Sequence, residues 1–92
     1  MAAEHLPEDE RQARLAEFIR REVSKDPRQA FELDTPIVSS GLVDSLSLIQ
    51  VLAFIEDELG VVIPDEAATA ASMDTLRSML ALIRTYQAPA SR

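Results

Sequence analysis

An all-α fold, a small four-helix bundle, is the fold predicted for this chain of 92 residues. Apolar residues recur at helical spacing in long segments near both ends of the chain. A middle segment is apolar nearly all round, which is typical of a central helix that neighbours touch on several sides. The length fits one domain, 1–92, with a small core. Three substantial helices and one short helix can form such a bundle around the central helix.

The first helix is expected over residues 7–24, between flexible ends at 1–6 and 88–92. Its apolar positions are Leu15, Phe18, Ile19 and Val23, set among Glu and Arg. From Lys25 to Asp44 the turn formers in "KDP" and "DTPIVSSG" predict a long loop. Long loops in compact domains are usually functional or tied down by buried apolar residues.

The second, central helix is predicted over 45–59. Asp44 or Ser45 can serve as its N-cap, and Gly60 is a natural C′ residue. After the short extended "VVIP", Asp65 can cap a brief Ala-rich helix over 66–70. The core of the bundle should therefore form around the second helix.

The final helix is predicted over 74–86, with a start near Ser72 or Asp74. Its apolar positions are Leu76, Met79, Leu80, Ile83 and Tyr86. The core is expected to join three sets of residues: Leu15, Phe18 and Ile19; Ile49, Leu52 and Ile55; and Leu76, Met79, Leu80 and Ile83.

The net charge of −7 is unevenly distributed. No Lys or Arg lies between Arg28 and Arg77, and the acidic residues of that interval make the middle of the chain purely acidic. Such a surface repels phosphate backbones, which argues against nucleic acid, and attracts basic surfaces of other proteins. The alternative, that these acids only keep the chain soluble, stays open.

Residue types exclude most enzyme chemistry. The chain has no cysteine for disulfides or thiolate metal sites, and its two glycines, nineteen residues apart, make no phosphate-binding loop. The only histidine, His5, lies in a polar N-terminal stretch, so a Ser–His pair is not expected. The acids at 56–58 and 65–66 are better explained as a solvated face and a helix cap than as paired catalytic carboxylates or a metal site. No enzyme activity and no metal are expected.

No positive region is followed by an apolar stretch in the N-terminal sequence, so a signal peptide is not expected. No segment approaches the roughly 18 consecutive apolar residues of a membrane span. We therefore expect a cytoplasmic protein without a membrane anchor.

Taken alone, Asp44 and Ser45 can be read as a helix cap and no more. The longer string "LDTPIVSSGLVDSLSLIQVLAFIEDELGVVIPDE" resembles the phosphopantetheine-attachment region of acyl and peptidyl carrier proteins. The likeness extends from about Leu33 to Ile83, and its most specific piece is Asp44-Ser45-Leu46 after "GLV". It implies the four-helix fold of the acyl-carrier type. In that family Ser45 would receive the 4′-phosphopantetheine arm, Asp44 is the preceding acid, and Leu46 packs beneath the serine.

The resemblance implies a carrier that is not an enzyme, with the working thiol imported on the arm. The implied partners are a phosphopantetheinyl transferase, an acyl- or aminoacyl-loading (adenylate-forming) enzyme and a downstream synthase or transferase. A stand-alone monomer is expected. The phosphate of the arm would lie at the N-terminus of the second helix, where the helix dipole favours an anion. Ser45 alone should be modified, although Ser39, Ser40 and Ser47 lie close by.

Partners must reach the end of an arm rooted at Ser45, so the partner surface is expected around that residue. The expected apolar contacts are Leu42, Val43, Leu48 and Val51, and the expected acidic contacts are Glu56 and Asp57. The neutral first half of the second helix, with Ser47 and Gln50, departs from fatty-acid-synthesis carriers and favours aminoacyl, peptidyl or specialised-metabolite carriers. A rival hypothesis is an unmodified acidic helical interaction module, in which Leu48, Val51 and Ala53 bind a partner groove.

Overall fold

The computed structural model describes residues 7–87, and its regular structure is entirely helical. Helix α1 spans Glu8–Phe18, α2 spans Leu48–Leu59 and α3 spans Leu76–Tyr86. No strand occurs within this part of the chain. The predicted all-α helical bundle is confirmed. The ends predicted to be flexible, 1–6 and 88–92, lie outside the described residues, as does His5.

Helix α1 begins after Pro7, and its first turn carries three acids that complement the positive end of the helix dipole. A π-helical turn, Ile19–Val23, continues it, so the chain is helical over 8–23, close to the predicted 7–24. Helix α2 is likewise preceded by a 3-10 turn, Ser45–Ser47. It ends at Gly60, whose positive φ of 73° suits glycine and whose N–H donates to the Ile55 carbonyl. The helical segment 45–59 was predicted with these bounds.

The predicted short helix over 66–70 is wrong, because this segment forms turns. Thr69 and Ser72 exchange hydrogen bonds: the Thr69 N–H donates to Ser72 Oγ and the Ser72 N–H to Thr69 Oγ1, each at 3.0 Å. The Ser72 hydroxyl also donates to the Ala67 carbonyl at 2.7 Å. Serine and threonine side chains here bond backbone groups that a helix would otherwise pair with each other.

Helix α3 starts later than the predicted position near Ser72 or Asp74. Thr75 is its N-cap: the Thr75 hydroxyl accepts from the Ser78 N–H at 3.1 Å, and Ser78 Oγ accepts from the Thr75 N–H at 3.3 Å. This reciprocal capping box satisfies N–H groups that a helix start leaves free. Asp74 is thereby left outside the helix, and its carboxylate binds another segment.

The core joins all three helices, and its buried side chains include Leu15, Ile19, Val51, Ile55, Met79, Leu80 and Ile83. Phe18 of α1 and Phe54 of α2 stack at the edge of the core, with ring centroids 4.4 Å apart. The expectation that Ile49 belongs to the core is wrong, since Ile49 is 67% exposed, and Leu52 is only partly buried. Residues Leu48 and Val51 are buried instead, so α2 presents a different face to its neighbours.

Charged side chains on the surface connect segments that are distant in sequence. Arg77 of α3 binds both carboxylate oxygens of Asp34, at 2.7 and 3.0 Å, and Arg84 pairs with Glu8 of α1. These exposed pairs orient the loop and α1 against α3 but add little stability each. None of the helices in the described part of the chain has the length and apolar character that crossing a membrane requires.

Candidate functional site

The junction between Asp44 and Ser45 marks the start of the central helical segment. Asp44 has an extended backbone, and its Oδ1 accepts the Ser47 N–H at 3.0 Å. Of the two predicted candidates for the N-cap, Asp44 and Ser45, Asp44 therefore has this role. Ser45 is the first helical residue and is exposed. The simple explanation of Ser45 as a cap does not hold in this structure.

The charge at this junction is partly balanced by Lys25, the only lysine of the chain. The Lys25 N–H donates to the Leu42 carbonyl at 2.8 Å, and its ammonium lies 4.0 Å from Asp44 Oδ2. The N–H and hydroxyl of Ser47, helped by Lys25, hold the pKa of Asp44 below its usual value. Asp44 is thus a carboxylate at neutral pH, with a cation beside it.

The loop before the junction is held against the start of α3 by Asp74. Asp74 Oδ1 accepts the N–H groups of Val38 and Ser39, each at 2.8 Å, and Oδ2 accepts the Ser39 hydroxyl at 2.8 Å. These donors, the Ser39 N–H first, hold the pKa of Asp74 below its usual value. We call residues 37–44 the site loop. Sequence reasoning missed Asp74, since its role depends on a contact across 35 residues.

Three of the predicted positions near Ser45 are corrected. Leu46 does not pack beneath Ser45, because it is 77% exposed. Leu42 and Val43, expected on the partner surface, are buried in the core. The site loop is short and must place apolar residues inward to stay attached to the bundle, so its two apolar residues nearest Ser45 serve packing.

Two predicted contacts on α2, Leu48 and Val51, are also buried, and are not available to partners. The exposed apolar side chains of this segment are Leu46 and Ile49, followed by Ala53 on the same side three to four residues apart. We call these three residues the apolar strip. The predicted acids Glu56 and Asp57 are exposed as expected.

The buried face of α2 could have been recognised from the sequence. A row through Ile49 and Leu52 reaches the charged Glu56, whereas the row Leu48, Val51, Ile55, Leu59 stays apolar for its full length. The second row is the one that the structure buries.

Within 7–87, no three side chains of His, Cys, Asp or Glu gather as a metal site. Ser45 is an exposed residue at a helix start, directly after a loop that hydrogen bonds hold to the bundle. That geometry suits a residue that another protein modifies.

A family model described as "Phosphopantetheine attachment site" matches residues 13–83, which is most of the chain and includes the whole site loop and the segment 45–59. The chain belongs to this family. Domains of the phosphopantetheine attachment site family carry 4′-phosphopantetheine covalently on a serine, and they are acyl carriers that do not themselves catalyse reactions. They interact with phosphopantetheinyl transferases and with biosynthetic enzymes. A search of curated proteins found no match. The family match favours a carrier over an unmodified interaction module.

Proposed function

We propose that this chain is a carrier domain that holds an acyl or aminoacyl intermediate as a thioester on a 4′-phosphopantetheine arm attached to Ser45. The observation that carries the proposal is the position of Ser45, exposed at the first residue of the central helical segment and directly after its capping acid. The bound group would supply the thiol to a chain that has no cysteine.

The residues around Ser45 fit such a group. An exposed serine leaves room for a long arm and for the enzyme that installs it. The positive end of the helical segment 45–59 and the Lys25 ammonium near Asp44 both favour the negative charge of a phosphodiester. Asp44 takes the Ser47 N–H for itself, so the helix dipole and Lys25 are the favourable groups here.

Neighbouring serines are less suited to attachment. The Ser39 hydroxyl donates to Asp74 at 2.8 Å, and the Ser40 hydroxyl lies 3.4 Å from the Ile37 carbonyl. Ser47 is partly buried and lies two residues after Ser45, inside the helical segment. Ser45 is exposed and holds the first position of the helical segment.

Partner enzymes are proposed to dock on the apolar strip, Leu46, Ile49 and Ala53, next to Ser45. Exposed apolar residues that adjoin one another mark interaction surfaces. Glu56 and Asp57 lie one or two turns further along the same helix, where they can attract basic partners over a distance. The proposed partners are a phosphopantetheinyl transferase, an adenylate-forming loading enzyme and a downstream synthase or transferase.

The cargo is proposed to be an aminoacyl, peptidyl or specialised-metabolite group rather than a housekeeping fatty acid. The support is the uncharged first half of the docking helix: its exposed residues Leu46, Ile49, Gln50 and Ala53 carry no acid. In the segment 44–59, enzymes that recognise carriers through carboxylates would find them at Asp44 and from Glu56 onward.

Tandem mass spectrometry tests the attachment site. The chain, Ser45→Ala and Ser47→Ala are each incubated with coenzyme A and a broad-specificity phosphopantetheinyl transferase. We expect one adduct in the wild type and in Ser47→Ala, located on Ser45, and none in Ser45→Ala. A modified Ser45→Ala protein would refute the assignment, and an unmodified wild type would support the interaction-module hypothesis.

A further inference from the structure

Asp74 is the point at which the site loop is attached to α3. It lies just outside that helix, beside the capping residue Thr75. Its carbonyl accepts the Ile37 N–H at 2.7 Å, and its carboxylate accepts three hydrogen bonds from Val38 and Ser39 at 2.8 Å. Both carboxylate oxygens are therefore engaged by one short segment. Hydrogen bonds to an ionised acceptor are among the stronger ones in proteins.

This attachment continues toward Ser45 through the backbone. The Ile37 carbonyl accepts the Val43 N–H at 2.8 Å, and both side chains are fully buried. Val43 is two residues before Ser45. The position of the serine thus depends on a connected path from Asp74 through Ile37 and Val43, with buried side chains at its middle.

None of the hydrogen bonds in this path involves the Ser45 hydroxyl. The lengths of its bonds and the burial of Ile37 indicate that it fixes where the end of the loop lies. An enzyme that modifies Ser45 must bind the site loop and the start of α2 together. A loop fixed in advance spares that enzyme the entropy of ordering it on binding.

We infer that Asp74 is a positioning residue for the modification of Ser45, holding the site loop in the conformation that the phosphopantetheinyl transferase binds. This inference rests on the proposed function at Ser45. Loss of the carboxylate should weaken binding of the chain to the transferase and leave the transfer step itself unchanged. The signature is a raised KM with an unchanged kcat.

Steady-state kinetics measure KM and kcat separately. The unmodified chain is the varied substrate, and coenzyme A is saturating. Asp74→Ala should raise KM about tenfold, as expected when a loop must be ordered on binding. Asp74→Asn should raise KM much less than Asp74→Ala does, because its amide oxygen can still accept the N–H groups of Val38 and Ser39. Faster amide exchange at Val38, Ser39 and Val43 in Asp74→Ala should accompany the change.

Thr75→Ala is the matched control. It removes the adjacent cap of α3, in which Thr75 Oγ1 accepts the Ser78 N–H at 3.1 Å, and leaves the site loop bonded to Asp74. Its stability should fall while its KM stays at the wild-type value. If the wild type is modified but Asp74→Ala and Thr75→Ala have equal KM values, the inference is overturned and the proposed function stands. A wild-type chain that takes no adduct would overturn the proposed function and this inference with it.

Ser39→Ala serves if Asp74→Ala does not fold, because it removes only the hydroxyl bond to Asp74. A KM raised about two- to threefold would then support the inference, by the usual size of one exposed hydrogen bond. An unchanged KM in folded Ser39→Ala would overturn it.

Discussion

Asp44 and Ser45, adjacent at the start of the central segment, have different roles. Asp44 caps the helix through the Ser47 N–H, and Ser45 has no capping role. Replacing an exposed residue that makes no capping or packing contact usually changes the free energy of unfolding by no more than about 0.5 kcal/mol. Ser45→Ala is therefore a clean test of function, whereas Asp44→Ala would change the helix start as well.

Asp74 makes the stability of the fold depend on pH. Because its pKa is lowered in the folded chain from the ordinary value of 3.8, its stabilising effect is present above that ordinary value and disappears as pH falls through the folded pKa. The wild type should be more stable than Asp74→Asn at pH 7. This difference in the free energy of unfolding should decrease progressively below about pH 4 to 5.

Urea unfolding of both proteins at pH 7 and pH 3 measures this gap. Glu17, Asp34 and Asp44 also have lowered pKa values, but they are common to both proteins and cancel in the difference. A gap of the same size at both pH values would show that the Asp74 carboxylate does not hold the loop through its charge.

At the scale of elements, the locations of the longer helices were predicted correctly, whereas the buried face of the central helix was predicted wrongly. Residues 8–23, 45–59 and 76–86 follow helical periodicity, which is a local property. The first turns of α2 are apolar on nearly every side, so over these turns the periodicity fits both a row through Leu48 and a row through Ile49. Only Glu56, further along the Ile49 row, separates the two. The failed short helix at 66–70 has a different cause, since the Thr69 and Ser72 side chains compete for backbone groups.

Neighbouring residues of α2 should differ sharply in their contribution to stability. Leu48 is 5% exposed, and Leu48→Ala should cost about 2–5 kcal/mol because it leaves a cavity in the core. Ile49→Ala removes an exposed side chain and should cost less than about 1 kcal/mol. Chemical denaturation of the two variants gives the comparison. Equal losses, or a larger loss at Ile49, would mean that the helix is turned the other way.

The same element should show two kinds of partner contact. Ile49→Ser should reduce modification of Ser45 by the transferase at every salt concentration, because it removes an apolar contact from the apolar strip. Neutralising Glu56 and Asp57 together should mainly slow association, and raised salt should shrink that deficit by screening the wild-type charges. Stopped-flow or steady-state assays across a salt series separate the two. An unaffected Ile49→Ser protein would remove the strip from the docking surface.

At the scale of the whole molecule, a small core leaves little stability to spare. Leu80 of α3 is buried among residues from the rest of the bundle, and Leu80→Ala should cost about 2–5 kcal/mol of the 5–15 kcal/mol typical of a small domain. We expect this variant to be at least partly unfolded at room temperature. A circular dichroism melt that coincides with that of the wild type would show that the core lies elsewhere.

The site could be predicted from the sequence only in part. Asp44 and Ser45 follow from a local motif and a helix start, both of which are written in adjacent residues. The burial of Leu42 and Val43 and the bonds of Asp74 arise when segments about 35 residues apart meet, and no local pattern records such a meeting. Those features required the structure.

The central claim is that Ser45 carries cargo on an arm as a thioester, and intact mass spectrometry tests it most directly. The wild type and Ser45→Ala are incubated with acetyl coenzyme A and a broad-specificity phosphopantetheinyl transferase, then treated with neutral hydroxylamine, which cleaves thioesters. The account predicts one acetyl-phosphopantetheine adduct on the wild type, from which hydroxylamine removes the acetyl group alone, and no adduct on Ser45→Ala. A wild type that stays unmodified, or the same adduct on Ser45→Ala, would contradict it.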